Sequence, residues 1–149
     1  MLRPANVFDK KPMFTVLILC VVTFGIYVIY RLWELTRIVN SKTEQRISQS
    51  FTLSAISVHI LSLLSLVYYF LFPAPTELLI TAKFLHLLSS IFHIVWIIKV
   101  RNRINTINNV TKGTKLWLNP FLSGLFHVIY FQHKINQSIG SRKAGKLAQ

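Results

Sequence analysis

Residues 51–98 read FTLSAISVHILSLLSLVYYFLFPAPTELLITAKFLHLLSSIFHIVWII. They contain two apolar runs, 51–72 and 78–98, and each is long enough for a transmembrane helix, which needs about 20 residues at about 1.5 Å each. The short connection between the runs carries Pro73 and Pro75, which cannot continue a helix. This stretch therefore predicts a two-helix transmembrane hairpin.

The composition of the whole chain supports a membrane location. The chain has 149 residues, 52% of them hydrophobic, and its mean hydropathy is +0.49. A soluble surface needs mixed charge to stay dispersed, and only four acidic residues are present: Asp9, Glu34, Glu44 and Glu77. The sequence predicts an all-α integral membrane protein. It offers no paired carboxylates or hydroxyl, histidine and acid set, so we do not expect an enzyme.

The basic residues also indicate a membrane. Seventeen Lys and Arg give a net charge of +13, which in a soluble protein would point to nucleic acid. Here they flank the apolar runs, and no basic stretch is interleaved with aromatics as a nucleic-acid platform requires. We expect no nucleic acid, and a bilayer with anionic headgroups as the partner. The candidate headgroup contacts are Arg31, Arg37, Arg46, Lys99, Arg101 and Arg103.

Two further apolar runs, 13–30 and 116–131, flank the hairpin. Thr23-Phe24-Gly25 lies inside the first, and Asn119-Pro120 with Gly124 interrupts the second. Proline and glycine weaken helices, so both runs are predicted to be broken, re-entrant or interfacial elements. Such breaks also occur in helices that span a membrane, so four full spans remain an alternative.

Charge placement favours two spans over four. If all four runs crossed, the flanking Lys and Arg would divide seven against nine. If only the central hairpin crosses, the division is sixteen against none, because residues 73–77 contain no Lys or Arg. The positive-inside rule then places both termini in the cytoplasm.

The chain is predicted to form one membrane domain, residues 13–137, between basic tails at 1–12 and 138–149. Apolar residues recur at helical spacing in three segments that also carry basic residues. We expect these amphipathic helices to lie on the cytoplasmic leaflet. Their apolar stripes are Leu32, Leu35, Ile38 and Val39; Ile104, Ile107 and Val110; and Ile135 and Ile139.

A short internal repeat joins the two outer runs. Val28-Ile29-Tyr30 recurs as Val128-Ile129-Tyr130, and both copies lead into basic amphipathic sequence. Three identical residues can arise by chance, whereas the shared context suggests a duplicated structural unit.

Polar residues of the hairpin fall on one face of each helix. The first helix carries His59, Ser62 and Tyr69; the second carries Lys83, His86, Ser90 and His93. Folding the hairpin about Pro75 brings the two sets opposite each other with a constant offset of two residues. The spacing therefore predicts a polar seam between the helices.

The seam has two interpretations. Serine and neutral histidine can join two helices by hydrogen bonds, with Lys83 extending toward the outer headgroups. Alternatively, ionisable residues inside a membrane mark a site, and His59 and His93 at similar depth could bind haem or a metal, or support proton or ion passage.

Two motifs resemble a known family. The first is TFGIYVIYRLW at residues 23–33, and the second runs from LNPF at 118–121 to YFQHKIN at 130–136. Together they are similar to the prokaryotic membrane-protein family catalogued as domain of unknown function 4234. The resemblance implies a multi-pass protein of a bacterial inner membrane. It implies no catalytic or binding residue.

The function that fits these features is non-enzymatic. We expect either an accessory or assembly subunit of a membrane complex, binding another membrane protein or a second copy of itself, or a protein that shapes the cytoplasmic leaflet. The alternative is the intramembrane histidine site.

Overall fold

The computed structural model describes residues 7–73 and 75–147, with side chains through Ser141, and all regular secondary structure in these ranges is helical. Two of the helices, α3 and α4, are long and apolar enough to cross a membrane. The predicted all-α class is confirmed. The helices are α1 (Met13–Val22), α2 (Ile26–Asn40), α3 (Gln49–Leu71), α4 (Thr76–Ile107) and α5 (Pro120–Leu147).

The described residues fall into two compact units, and the predicted single membrane domain at 13–137 stays a prediction. Unit 2 is Ile47–Trp96, which contains α3 and the first part of α4. Unit 1 contains the described residues up to Arg46 and those from Ile97 onward. Helix α5 continues to Leu147, within the segment predicted as the basic tail at 138–149.

In unit 2, α3 buries small residues on one face. Thr52, Ala55 and Ser62 are the buried residues of this helix, spaced three and seven apart. Small side chains at helical spacing let two helices approach closely. Phe51 of α3 and Phe92 of α4 lie in ring contact, with centroids 5.8 Å apart.

In unit 1, helices α1, α2 and α5 contact one another. The apolar stripes predicted to lie on the leaflet form the core of this unit instead. The buried members are Leu32, Leu35 and Val39 of α2, Ile104 of α4, and Ile135 and Ile139 of α5. An amphipathic stripe only shows that one face avoids water, and here most of that face is covered by protein.

The first outer run breaks where the sequence predicts. Helix α1 ends at Val22, and α2 begins at Ile26. Between them Phe24 and Gly25 have φ values of 49° and 88°, a left-handed conformation that favours glycine. The Thr23 hydroxyl donates to Leu19 O at 2.7 Å and accepts from the backbone N–H of Tyr27 at 2.9 Å, which fixes the turn.

The second outer run breaks at a different residue from the one predicted. Asn119-Pro120 begins α5 instead of interrupting a helix, because Asn119 Oδ1 accepts from Phe121 N at 2.8 Å and proline fits the first helical turn. The interruption lies at His127, with φ 45° and ψ −130°. Helix α5 is therefore two helical pieces joined at a kink.

Candidate functional site

Two histidines of the hairpin, His59 and His86, contact serines of the opposite helix. His59 Nδ1 on α3 lies 3.0 Å from Ser89 Oγ on α4. Ser62 Oγ on α3 lies 3.2 Å from His86 Nδ1 on α4. Ser62 and Ser89 are both buried. The two pairs form one polar seam along the packed faces of unit 2.

The rings of His59 and His93 are also close. Their centroids are 6.4 Å apart and their planes differ by 29°. The structure therefore brings together four of the seam residues predicted from the sequence: His59, Ser62, His86 and His93.

The remaining predicted seam residues lie elsewhere. Ser90 is exposed and donates to His86 O of its own helix at 2.9 Å, so Ser89, one residue earlier, takes its place in the seam. Tyr69 is half-buried beside Phe70, and Lys83 is exposed. Helix α4 is rotated about its axis so that Ala82 and Ser89 face the interior. Counting residues at a fixed offset from Pro75 does not predict this rotation.

The seam is well suited to joining helices. The imidazoles of His59 and His86 each have one nitrogen within hydrogen-bond distance of a serine hydroxyl, and such pairs contribute about 0.6–2 kcal/mol between membrane helices. Among the described residues, no group of three or more His, Cys, Asp or Glu is placed to hold a metal ion. A two-histidine haem or metal site at His59 and His93 stays a prediction.

Unit 1 contains a larger polar network centred on Arg31 of α2. This guanidinium is 1% exposed, and it donates to Glu34 of its own helix and to Oε1 of Gln132 on α5. Lys11 Nζ reaches both carboxylate oxygens of Glu34, at 3.1 and 2.9 Å. Arg31 is therefore a buried structural cation, and the prediction that it contacts lipid headgroups is wrong.

The network extends to the segment that precedes α1. Gln132 Nε2 donates to Asp9 O at 3.1 Å and to Asn136 Oδ1 at 2.8 Å. Asn136 Nδ2 donates to Lys11 O at 2.7 Å. Three parts of the chain that are far apart in sequence are thus joined by side-chain amides and one buried guanidinium.

The charges of this network shift the titration of Glu34. Burial alone would raise the pKa of this carboxyl, but the hydrogen bonds and positive charges of Lys11 and Arg31 outweigh burial and lower it below its ordinary value of 4.5. Glu34 is therefore a carboxylate at neutral pH, and it offsets part of the positive charge around it.

A second polar cluster in unit 1 fixes the chain just before α5. Asn105 of α4 binds the backbone of Leu118 in both directions, accepting from its N–H at 2.9 Å and donating to its carbonyl at 3.3 Å. Arg101 Nε donates to the same carbonyl at 2.8 Å, and its guanidinium lies 5.4 Å from the centre of the Trp117 ring. Arg101 is thus occupied by protein partners.

The other predicted headgroup contacts differ in exposure. Arg37 and Arg46 are exposed, and Lys99 and Arg103 are half-buried. Arg37 lies over the Trp33 ring, 5.0 Å from its centre, and Arg103 donates to Gln45 O at 3.0 Å. Contact of these four residues with lipid stays a prediction.

An open groove of about 400 Å³ lies beside the network. It is lined by Asp9, Glu34, Arg37, Ile38 and Ser41. Both oxygens of Glu34 are engaged by Lys11 and Arg31. The other charged groups that line the groove are the carboxylate of Asp9 and the guanidinium of Arg37.

Sequence reasoning missed the residues that hold unit 1 together, chiefly Gln132, Asn136 and Asn105. A signal for two of them existed. Gln132 and Asn136 are four residues apart, which places them on one helix face, and both belong to the YFQHKIN motif at 130–136. Asn105 lies in a polar stretch without a distinguishing pattern.

Comparison with known proteins gives a family and no function. No curated protein and no solved structure matches the chain significantly. The sequence model of one family, described as Domain of unknown function (DUF4234), matches residues 11–106. That range contains the TFGIYVIYRLW motif at 23–33 and ends before the second motif that suggested the resemblance. The match covers more than half of the 149 residues, and the chain belongs to the DUF4234 family.

Proposed function

We propose that this chain is a non-enzymatic multi-pass protein of a bacterial inner membrane that shapes the cytoplasmic leaflet. In this proposal α3 and α4 cross the bilayer, both termini are cytoplasmic, and the broken outer runs insert into one leaflet only. The observation that carries it is the exposed apolar surface of unit 1.

That surface is formed by both outer runs. In and after α1, Phe14, Val21 and Val22 are exposed, and Phe24 in the turn is 90% exposed. At the start of α5, Phe121 is 75% exposed. Monomeric soluble proteins rarely leave contiguous apolar patches of this kind uncovered.

The lengths of these elements suit one leaflet. Helix α1 has 10 residues, or about 15 Å at 1.5 Å per residue, which is half of a hydrocarbon core of about 30 Å. The α5 piece before the kink at His127 is shorter still. Material inserted into one leaflet expands that leaflet relative to the other and so favours curvature.

The topology can be tested by labelling introduced cysteines from outside intact cells with an impermeant thiol reagent. In a Cys20→Ala background, Ser41→Cys, Thr111→Cys and Ser141→Cys should all resist labelling, while Glu77→Cys should react. Reaction of Ser41→Cys and Thr111→Cys would establish four full spans and exclude insertion into a single leaflet.

The shaping activity can be tested with purified protein reconstituted in vesicles that contain anionic lipid. Electron microscopy should show smaller or tubulated vesicles, and Phe24→Gln combined with Phe121→Gln should abolish the effect. Phe70→Gln is the matched control, because Phe70 is 76% exposed on the hairpin and outside unit 1. Equal effects of the Phe24/Phe121 variant and the control would contradict the proposal.

The alternative function is an intramembrane histidine site. It is supported by the 6.4 Å separation of the His59 and His93 rings. An absorption spectrum of the detergent-purified protein tests it, since bound haem gives a Soret band that His59→Ala should abolish. Proton or ion passage would appear as a conductance of reconstituted vesicles that the same substitution removes.

A further inference from the structure

One side of α4 carries polar residues that stay exposed in the hairpin, although one of them, His86, also reaches Ser62 of the seam. Lys83, His86 and Ser90 are spaced three and four apart and all three are exposed. We name them the α4 polar flank. We propose that the α4 polar flank binds a transmembrane helix of another protein, and that this helix carries a carboxylate.

The flank is distinct from both neighbouring faces of α4. On one side, Ala82 and Ser89 are buried in unit 2. On the other side, Phe84 and Leu87 are more than half exposed and suit contact with lipid tails. The flank is therefore a polar strip between a packed face and an apolar one.

Hydrogen bonds hold two of the three flank residues, His86 and Ser90, in place. His86 Nδ1 lies 3.2 Å from Ser62 Oγ, so Nε2 is the ring atom available to a second partner. Ser90 donates to His86 O at 2.9 Å. Among the described residues no ion pair involves Lys83. A binding helix thus meets the ammonium group of Lys83 and an imidazole that Ser62 orients.

Depth in the bilayer makes an uncovered flank costly. At 1.5 Å per residue, Lys83 lies about 10 Å and His86 about 15 Å along α4 from Thr76, where the helix begins. The ammonium of Lys83 can extend toward the outer headgroups, but the shorter imidazole of His86 cannot. A polar group that faces hydrocarbon at mid-depth is unfavourable, which favours a protein partner over lipid.

Charge identifies the partner as a different protein. Two copies inserted in the same orientation would bring Lys83 of one against Lys83 of the other. None of the four acidic residues of the chain lies in an apolar run, and Glu77 is at the outer end of α4, so a second copy cannot supply a carboxylate at the depth of His86. A carboxylate on another helix can pair with Lys83 and accept a hydrogen bond from His86.

This inference goes beyond leaflet shaping, because it involves only the hairpin. It rests on the membrane-spanning topology of the proposed function, which the cysteine labelling tests separately. If Glu77→Cys is labelled from outside and the binding experiment below fails, only the partner is excluded.

The experiment uses full-length protein in vesicles and synthetic transmembrane peptides of leucine and alanine. The peptides carry Glu, Gln or Lys about 10 Å below their outer end, and association is measured by energy transfer between dyes. The Glu peptide should bind about tenfold more tightly than the Gln peptide, and the Lys peptide more weakly than either. Lys83→Arg should keep the preference for Glu, and Lys83→Gln should remove it.

Several results would overturn the inference. One is equal affinity for the Glu and Gln peptides, and another is a preference that persists in Lys83→Gln. A third is efficient disulfide formation between two copies through Ser90→Cys, which would assign the flank to self-association. Intact hairpin topology of each variant, checked by the Glu77→Cys labelling, separates loss of binding from misfolding.

Discussion

Replacing Arg31 by methionine is expected to destabilise unit 1 severely. Methionine has a similar length and keeps the apolar contacts of the arginine stem, so the change removes mainly the guanidinium. Arg31 donates to both Glu34 and Gln132, and the substitution leaves the Gln132 carbonyl oxygen buried without this donor. The variant therefore isolates the buried polar contacts from the packing.

The magnitude follows from what each partner retains. Breaking a buried ion pair costs about 3–5 kcal/mol when the remaining charge is left alone, and an unsatisfied buried acceptor costs about 1–3 kcal/mol. In the variant Glu34 keeps its ion pair with Lys11 at 2.9 Å. In the native chain Arg31 Nε is buried and has no hydrogen-bond partner among the described residues, so part of the desolvation cost of the arginine is not compensated. Both facts reduce the loss, and we expect a decrease in the free energy of unfolding of about 3 kcal/mol.

Arg37→Met is the matched control on the same helix. Arg37 is exposed and lies over the Trp33 ring, a contact worth about 0.5–1 kcal/mol. Denaturant unfolding in detergent, followed by tryptophan fluorescence, compares the two variants. The double variant Arg31→Met with Gln132→Leu should recover part of the loss, because it removes the unsatisfied acceptor. An Arg31→Met loss no larger than that of Arg37→Met would refute the reasoning.

Other parts of the structure give further expectations. Glu34→Gln should be less stable than the native chain at neutral pH. Because the folded-state pKa of Glu34 lies below 4.5, this stabilisation is fully present above pH 4.5 and is lost as the pH falls through the folded pKa, so the difference measured in unfolding titrations should shrink in acid. Gly25→Ala should lower stability by about 1 kcal/mol, because φ at Gly25 is 88°. Gly124→Ala in α5 should raise stability by about 0.4–1 kcal/mol. Thermal unfolding that ranks the two variants the other way would contradict the turn geometry. His59→Leu should weaken the hairpin by only about 0.6–2 kcal/mol, the range for one hydrogen bond to Ser89.

The hairpin and the first break could be predicted because local sequence determines them. Apolar runs of sufficient length are separated by Pro73 and Pro75, and glycine at position 25 supplies the positive φ of the turn. Asn119-Pro120 carries a more ambiguous signal. The same pair can interrupt a helix or begin one. Only the position at which the following helix starts shows which of the two applies.

The core of unit 1 could not be predicted from periodicity. A helical apolar stripe such as Leu32 and Leu35 fits a lipid surface and a protein core equally well. The contact that separates the two cases, Arg31 with Gln132, joins residues 101 positions apart. For a similar reason, Ser89 lies in the hairpin seam where the spacing predicts Ser90. The rotation of a helix about its axis depends on packing and not on residue spacing alone.

The internal repeat explains why this network lies where it does. Positions 100 residues apart in α2 and α5 are buried alike: Arg31 and Phe131, Leu32 and Gln132, Leu35 and Ile135, Val39 and Ile139. The two helices therefore present equivalent faces to each other, as expected of a duplicated unit. If both faces were entirely apolar, α2 could also pack against α2 of another copy, and α5 against α5 of another copy.

At the first two of these position pairs, α2 and α5 differ in which position is polar and which is apolar. The polar residue is Arg31 in α2 and Gln132 in α5, and these two bind each other across the interface. A pair of α2 helices would bring two buried guanidinium groups together, and a pair of α5 helices would lack the cation that Gln132 accepts from. A buried polar pair of this kind specifies the partner by making the alternatives costly. This difference thus favours pairing of α2 with α5 over pairing of either helix with its own copy. Within one chain this pairing leaves α1 and the start of α5 as the exposed apolar surface of unit 1.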